Sequence, residues 1–571
     1  MPNLYFDLLK TWCDHLVSLQ LRGTGDPRLD GGILCPSCRL MHGRSDNAIR
    51  PLMLLAERTG DPRYLDAARR LFDWQANLLC DDGSLYNDPN SEWRGITVFS
   101  ATGLCEALSR YGKLLDPAER TRWEARLGRM GEWLYRTIDE SYPANVNYPV
   151  ANAAALELLG EYFGREEYRV RARRLAAFGM ARISPDGLLC GEGHPRDAVT
   201  PRGCRPVDIG YNVEESVPAL VRYAQAAGDR DMLDRLTGIL LRQLGFMLPD
   251  GGWDNSFGSR NNKWTYWGSR TSDGCQGAYL ALRDAHPAFA EAARRNTRLM
   301  AACTHEGLLH GGPHYAEQDE PPCVHHSFTH ANALAAAVEC GADADPEVSG
   351  VPLPCDAPVP LAHFPTVDTW KIAAGPWRAT VTGYDFGLEA GHASGGTLTL
   401  LWHERLGPVV ASSVVDYRLV EPINMQLPLD RSRHRPLTPR VERMVGDARY
   451  AQCYDTCADI RAEEDPGGVM VRVAARLVSR GRIPSDPPAA CTLEYRFTPL
   501  GIRIRGRVEG PGAGDAIYVL PIIADGAQLD SPTAEPDPAR IFFLTGGFGA
   551  REFRIRPDAD GRFEIRITAE T

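Results

Sequence analysis

Residues 251–274 read GGWDNSFGSRNNKWTYWGSRTSDG. Trp253, Trp264 and Trp267 stand among Arg260, Lys263 and Arg270 at no helical or strand period. Aromatic faces stack on the apolar faces of sugar rings, and arginine pairs bidentately with carboxylates. Together the two residue types point to a site for an acidic sugar, with Trp264 and Trp267 as stacking faces and Arg270 as the carboxylate partner. The same mixture also fits an aromatic core with cation stems lying along it.

Other polar stretches sit in loops or at helix starts. NVNYPVANAAAL (145–156) offers Asn147, Tyr148 and Asn152, which could hold a carboxylate and its leaving-group oxygen or simply cap a helix. A long loop over 191–218 ends in Tyr211, Asn212, Glu214 and Glu215 at the mouth of the next helix. Residues 305–334 hold six of the fourteen histidines, and His325, His326 and His330 straddle a predicted helix start that could face a cleft. His392 lies in a Gly/Ser turn, GHASGG, ahead of a predicted strand.

CPSCRLMHGRSDNA (35–48) contains one CxxC with His42 and Arg44 close behind. Cys35, Cys38 and His42 could contribute to a zinc site, with Cys323 or His325 closing the shell. A single CxxC without a second pair reads first as two small thiols in a turn, with His42 and Arg44 lining a cleft and no metal bound.

The elements that must position these residues fall into two blocks. Up to about residue 342, amphipathic helical stretches alternate with Gly-, Asp- and Pro-rich loops. A weak repeat, GDPRYLDAARRL at 60, GREEYRVRARRL at 164 and GDRDMLDRLTGIL at 228, sets a Gly turn before each helix. About twelve candidate helices suggest six hairpins closed into an (α/α)6 toroid whose loops surround a cleft, the catalytic domain over 1–342. Residues 343–365 are Pro-rich and read as a linker. Beyond them GTLTLLW, GVMVRVAARLVS and GRFEIRITAE are β-rich runs, predicting an antiparallel β-sandwich over 366–571.

A net charge of -11 disfavours a nucleic-acid partner but permits a local basic cleft for an anion. Asp7, Lys10 and Asp14 interrupt the first apolar stretch, so it reads as an amphipathic helix, not a signal peptide, and a cytoplasmic chain is expected. No stretch approaches the length of a membrane span. The fifteen cysteines read mostly as buried thiols.

In layout the chain resembles the toroid-plus-sandwich polysaccharide lyases of the heparinase II/III-like and alginate-lyase type. Asn147 and Asn152, DGLLCGEG leading to Tyr211, the WGSRTSDG loop and GHASGG at His392 fall in the order those enzymes use. Ser394 stands where such turns often carry a second His. Uronate-specific glycoside hydrolases, including β-glucuronidases, resemble the same two-domain arrangement.

The resemblance implies cleavage at uronic acid residues. For β-elimination, Asn147, Asn152 and Arg270 would neutralise the carboxylate. Tyr211 and His392 would transfer protons, with Tyr148 and His326 as substitutes. For hydrolysis, Glu214 and Asp273 would be the first carboxyl pair to test. Arg260, Lys263, His42, Arg44 and His325 complete the expected substrate contacts. A non-catalytic protein binding acidic glycans is a third reading. The expected partner is an acidic oligo- or polysaccharide, with a homodimer left open. No nucleotide loop or serine-nucleophile motif is present, so no organic cofactor is expected.

Overall fold

Helix α2 (Ile49–Thr59) ends on Gly60 in the left-handed region, and the Asp61 carboxylate caps α3 (Pro62–Trp74) by accepting from the Arg63 backbone N–H. Gly164 turns α6 (Asn147–Phe163) into α7 (Glu166–Met180) with the same left-handed backbone but no side-chain cap, and Gly228 with the capping Asp229 joins α9 (Val217–Ala227) to α10 (Arg230–Gln243). The repeat read in the sequence is therefore one helical-hairpin turn used several times. The computed structural model describes residues 3–88, 90–342, 350–387, 391–415, 432–544 and 546–570.

The remaining helices are α1 (Leu4–Leu19), α4 (Thr97–Tyr111), α5 (Pro117–Thr137), α8 (Ile209–Tyr211), α11 (Gln276–Ala281), α12 (Ala288–Ala302) and α13 (Val324–Glu339). A π turn over Asn212–Ser216 fuses α8 to α9, so the described residues hold twelve helical runs. Contacts run α2–α4–α6–α9–α11–α13 and back to α2, closing an inner ring. The hairpin partners α3, α5, α7, α10 and α12 lie outside, and α1 packs on α13 to complete the sixth pair. Inner helices are alanine-rich and buried on nearly every side, as α6 and α13 show, whereas α10 buries one face only. A cavity of about 340 Å³ follows the ring axis and is lined from all six inner helices.

After a short hairpin of β1 (Thr304–His305) and β2 (Leu308–Leu309), the strands collect in three antiparallel sheets. The first is β3 (Leu361–Phe364), β4 (Thr369–Ala374), β5 (Trp377–Thr382), β6 (Thr397–His403) and β7 (Gly407–Ala411), in that order. Its opening strand lies inside the stretch read as a linker, part of which, 343–349, is outside the described residues. The second orders β16 (Ala534–Phe543), β17 (Phe548–Ile555), β14 (Ile517–Ile522), β8 (Arg440–Val445) and β9 (Ala448–Ala451). The third orders β10 (Asp459–Asp465), β11 (Gly468–Arg476), β12 (Ala490–Thr498), β13 (Gly501–Glu509), β18 (Arg562–Ala569) and β15 (Ala527–Asp530). Alternation fixes its inner face: Val471 pairs with Tyr495 and Val473 with Leu493, while Arg472 points outward. A groove of about 820 Å³ crosses the outer face of that sheet, but its Arg472 and Arg505 are paired with Glu463 and Glu564, and it shares no residue with the toroid axis.

The two blocks are locked together. Lys371 of β4 pairs with Asp254 at 2.8 Å, and the Tyr384 hydroxyl donates to the Arg205 carbonyl at 2.7 Å. Trp264 and Tyr266 from the toroid loop share one apolar cluster with Leu400, Trp402, Phe543 and Phe548 from the sheets. No helix among the described residues is long and apolar enough to cross a membrane.

Candidate active site

Asn147 opens α6 at the inner end of the ring, and two acids approach it. Its backbone N–H donates to Glu192 Oε1 at 3.0 Å, and its Nδ2 donates to Glu215 Oε1 at 2.5 Å. Glu215 comes from the π turn, where Glu214 and Glu215 are both buried despite being adjacent. A regular helix would separate neighbours by about 100°; a π turn locally relaxes that spacing.

Arg44 joins Glu215 to the loop after residue 260. Its Nη1 lies 3.5 Å from Glu215 Oε2 and donates to the Thr271 carbonyl at 2.7 Å. Nη2 pairs with Asp273, Nε donates to Asn47 Oδ1 at 2.9 Å, and the guanidinium covers the Phe99 ring at 3.8 Å.

Tyr211 closes the other side. Its hydroxyl is 2.6 Å from Thr271 Oγ1 and accepts from Lys263 Nζ at 3.3 Å. Arg260 lies over the ring at 4.3 Å and reaches Glu192 Oε2 at 3.4 Å. Asn147, Glu215, Arg44, Thr271, Tyr211, Arg260 and Glu192 thus form a closed circuit of contacts. Asp208 pins its corner, accepting from the Tyr211, Asn255 and Arg260 N–H groups at 2.9–3.0 Å.

Electrostatics divide the circuit. Burial pushes the Glu192 carboxyl up to about 8, with the Glu215 and Asp208 charges adding and Arg260 opposing. Burial also raises Glu215, against the pull of Arg44. Burial thus favours the neutral form of the Glu192 carboxyl near neutral pH, while Oε1 accepts from Asn147. Lys263 is placed to stabilise negative charge on the Tyr211 oxygen.

The structure brings together Asn147, Tyr211, Arg44, Arg260, Lys263 and Asp273 from the sequence reading, with Tyr148 at the rim. His392 sits, as expected, in the turn before β6, buried close to Gly387 on the sandwich side.

Several expectations are corrected. Trp264 and Trp267 are 2 % and 0 % exposed; Trp264 packs on the sheets, and Trp267 lies edge-on to His330 and donates to the His310 carbonyl. These neighbours, and not burial as such, take both rings out of the site, since Asn147 and Tyr211 are as little exposed but face the circuit. Arg270 turns back to donate to the Asn262 carbonyl at 2.8 Å, so the loop cations facing Tyr211 are Arg260 and Lys263. Asn152 donates to the Leu134 and Ile138 carbonyls at the end of α5; five positions beyond Asn147 it is rotated about 140° away. Glu214 accepts from the Ser269 backbone N–H at 2.7 Å, with Gly268 packed against it, and serves as a clamp on the loop. His42 points at Cys323, His325 packs between His42 and Phe328, and His326 packs on Trp267, all buried away from the circuit.

Trp93 is the residue the sequence reading passed over. It is 36 % exposed, donates through Nε1 to the hydroxyl of Tyr148, the neighbour of Asn147, at 3.0 Å, and groups with Tyr142. Its signal was compositional: a lone Trp in the polar turn NDPNSEWRG.

A phenol flanked by cations, beside an amide and a protonated acid, suits proton abstraction next to a carboxylate. On a helical toroid backed by antiparallel sheets, that chemistry is the work of the polysaccharide lyases that cut uronic acid-containing glycans by β-elimination. Residues 9–355 match the ulvan lyase N-terminal domain, and residues 361–533 match the ulvan lyase C-terminal domain. The chain belongs to the ulvan lyase family. It is 36% identical over 530 residues to a broad-specificity ulvan lyase of Formosa agariphila, covering 91% of this chain and 82% of that relative. The crystal structure of heparinase III superposes with a TM-score of 0.58 at 12% identity, over 99% of this chain and 85% of that one, a likeness of fold.

Proposed function

We propose that this lyase depolymerises ulvan-type polysaccharides at their uronic acid residues, with Tyr211 as a proton-transfer group. The observation that carries this reading is the Tyr211 hydroxyl, held 2.6 Å from Thr271 and 3.3 Å from Lys263 inside the closed circuit. Asn147, protonated Glu192 and Arg260 neutralise the uronate carboxylate, which acidifies the C5 proton. A base takes that proton, its electron pair forms the C4=C5 bond, and the C4–O bond breaks. The departing oxygen takes a proton, leaving an unsaturated uronate on one fragment and a reducing end on the other. His392 is the second proton-transfer group in this reading.

The test is incubation with ulvan and a panel of other uronate polymers, following ultraviolet absorbance of the conjugated product together with reducing ends. Equal molar growth of both on ulvan is expected. Reducing ends without absorbance would mean hydrolysis, and no growth on ulvan beside growth on another polymer would overturn the substrate.

A further inference from the structure

The sulfur atoms of Cys35 and Cys323 lie 3.7 Å apart, those of Cys38 and Cys323 3.5 Å apart, and His42 Nε2 is 3.4 Å from Cys323 Sγ. All four donor atoms fall within 4.8 Å of one another. We propose that Cys35, Cys38, His42 and Cys323 bind one zinc ion in a closed, structural site.

Zn–S bonds of about 2.3 Å and Zn–N bonds of about 2.0–2.1 Å give a tetrahedron with edges of roughly 3.5–3.8 Å. The three separations to Cys323 fall in or next to that range, and the other donor pairs stay within 4.8 Å. A disulfide would need sulfurs at about 2.05 Å and would leave one thiol over. The turn is also shaped for a metal. The Cys38 backbone N–H donates to Cys35 Sγ at 3.3 Å, the Arg39 N–H donates to the Cys35 carbonyl at 3.0 Å, and Arg39 takes a left-handed φ of 55°. That chain path aims both sulfurs of the CxxC at one point. Cys35, His42 and Cys323 are buried and Cys38 is half-buried. Three soft sulfurs and one borderline nitrogen donor, an imidazole, favour zinc over hard cations. The single CxxC reads first as a pair of thiols without metal; of the two closing ligands the sequence offers, the structure brings up Cys323, 285 positions beyond Cys38.

Four protein ligands leave no open position, so the ion takes no part in the reaction. Its place in the fold gives it a different task. It ties the 35–42 turn to the residue that caps α13, and Arg44 follows two positions after His42. Because Arg44 bridges Glu215, Thr271 and Asp273, the ion fixes one corner of the circuit from behind.

The inference is independent of the substrate proposed above. Metal content of the intact, purified protein is measured by elemental analysis, before and after incubation with zinc sulfate and desalting. About one zinc per chain is expected, and cobalt replacement should give thiolate-to-cobalt charge-transfer and tetrahedral ligand-field bands. Cys38→Ser should lower the zinc content at least tenfold, whereas Cys457→Ser, at an exposed position on the sandwich, should keep it. Wild-type protein below a tenth of an equivalent after zinc incubation would overturn the site, as would full zinc content in folded Cys38→Ser. Should Cys38→Ser fail to fold, the wild-type stoichiometry and the cobalt spectrum decide the matter.

Discussion

The Lys263 ammonium stands 3.3 Å from the Tyr211 hydroxyl, on a loop that reaches the helix start from 52 residues further along the chain. A general acid or base of this kind contributes roughly 10²–10⁴-fold to rate. Tyr211→Phe is accordingly expected to lower kcat by about that factor while the melting temperature stays within a few degrees. Lys263→Met should lower kcat less, and adding it to Tyr211→Phe should cost little more, because the two act as one unit. Additive losses in initial-rate absorbance assays would dissolve the pairing.

Glu192 predicts a pH dependence of stability. Its carboxyl is raised by burial to about 8 in the folded chain, above the ordinary carboxylate value of 4.5. The folded state therefore holds a proton that the unfolded chain has released, and the stabilising contribution is complete below the unfolded value and fades as pH rises through about 8. Melting temperatures of the wild type should fall across this window. Glu192→Gln, which carries a permanent donor, should flatten that fall; an unchanged slope would show that Glu192 is not the group responsible.

The two asparagines of α6 should separate cleanly. Asn152→Ala removes a donor from two buried carbonyls and is expected to destabilise by about 1–3 kcal/mol, with kcat per folded molecule preserved. Asn147→Ala should instead abolish most turnover. Denaturant melts beside steady-state kinetics distinguish the two, and a catalytic defect confined to Asn152→Ala would reverse the assignment.

Trp93 offers an exposed ring to a sugar at the rim, away from the reacting atoms. Trp93→Ala should raise KM severalfold with kcat nearly constant, the mark of uniform binding. A drop in kcat at unchanged KM would place the ring closer to the chemistry.

The two-block architecture was legible because helical and strand periodicities are written locally, and the Gly turns at 60, 164 and 228 mark hairpins by their own chemistry. Asn147, Tyr211 and the 260–273 loop were legible as polar residues unsuited to a core. What sequence spacing could not supply was direction. In a loop without period, Trp264, Trp267 and Arg270 resemble Arg260 and Lys263 in every local respect. Which of them face the cleft depends on sheets that begin a hundred residues later. The same limit left the residue closing the Cys35, Cys38 and His42 group open between Cys323 and His325, since nothing local joins residues from opposite ends of the toroid.

The cluster shared by Trp264, Tyr266 and the sheets has a consequence for how this enzyme can be altered. A toroid cut off near residue 342 would leave those rings bare, and a sandwich transplanted from a distant relative would have to reproduce Trp402, Phe543 and Phe548 to cover them. The loop bearing Lys263 and Arg260 hangs from that seam. Exchange of whole modules is thus a poor route to a new specificity, and replacement of single rim residues such as Trp93 and Tyr148 is the open one.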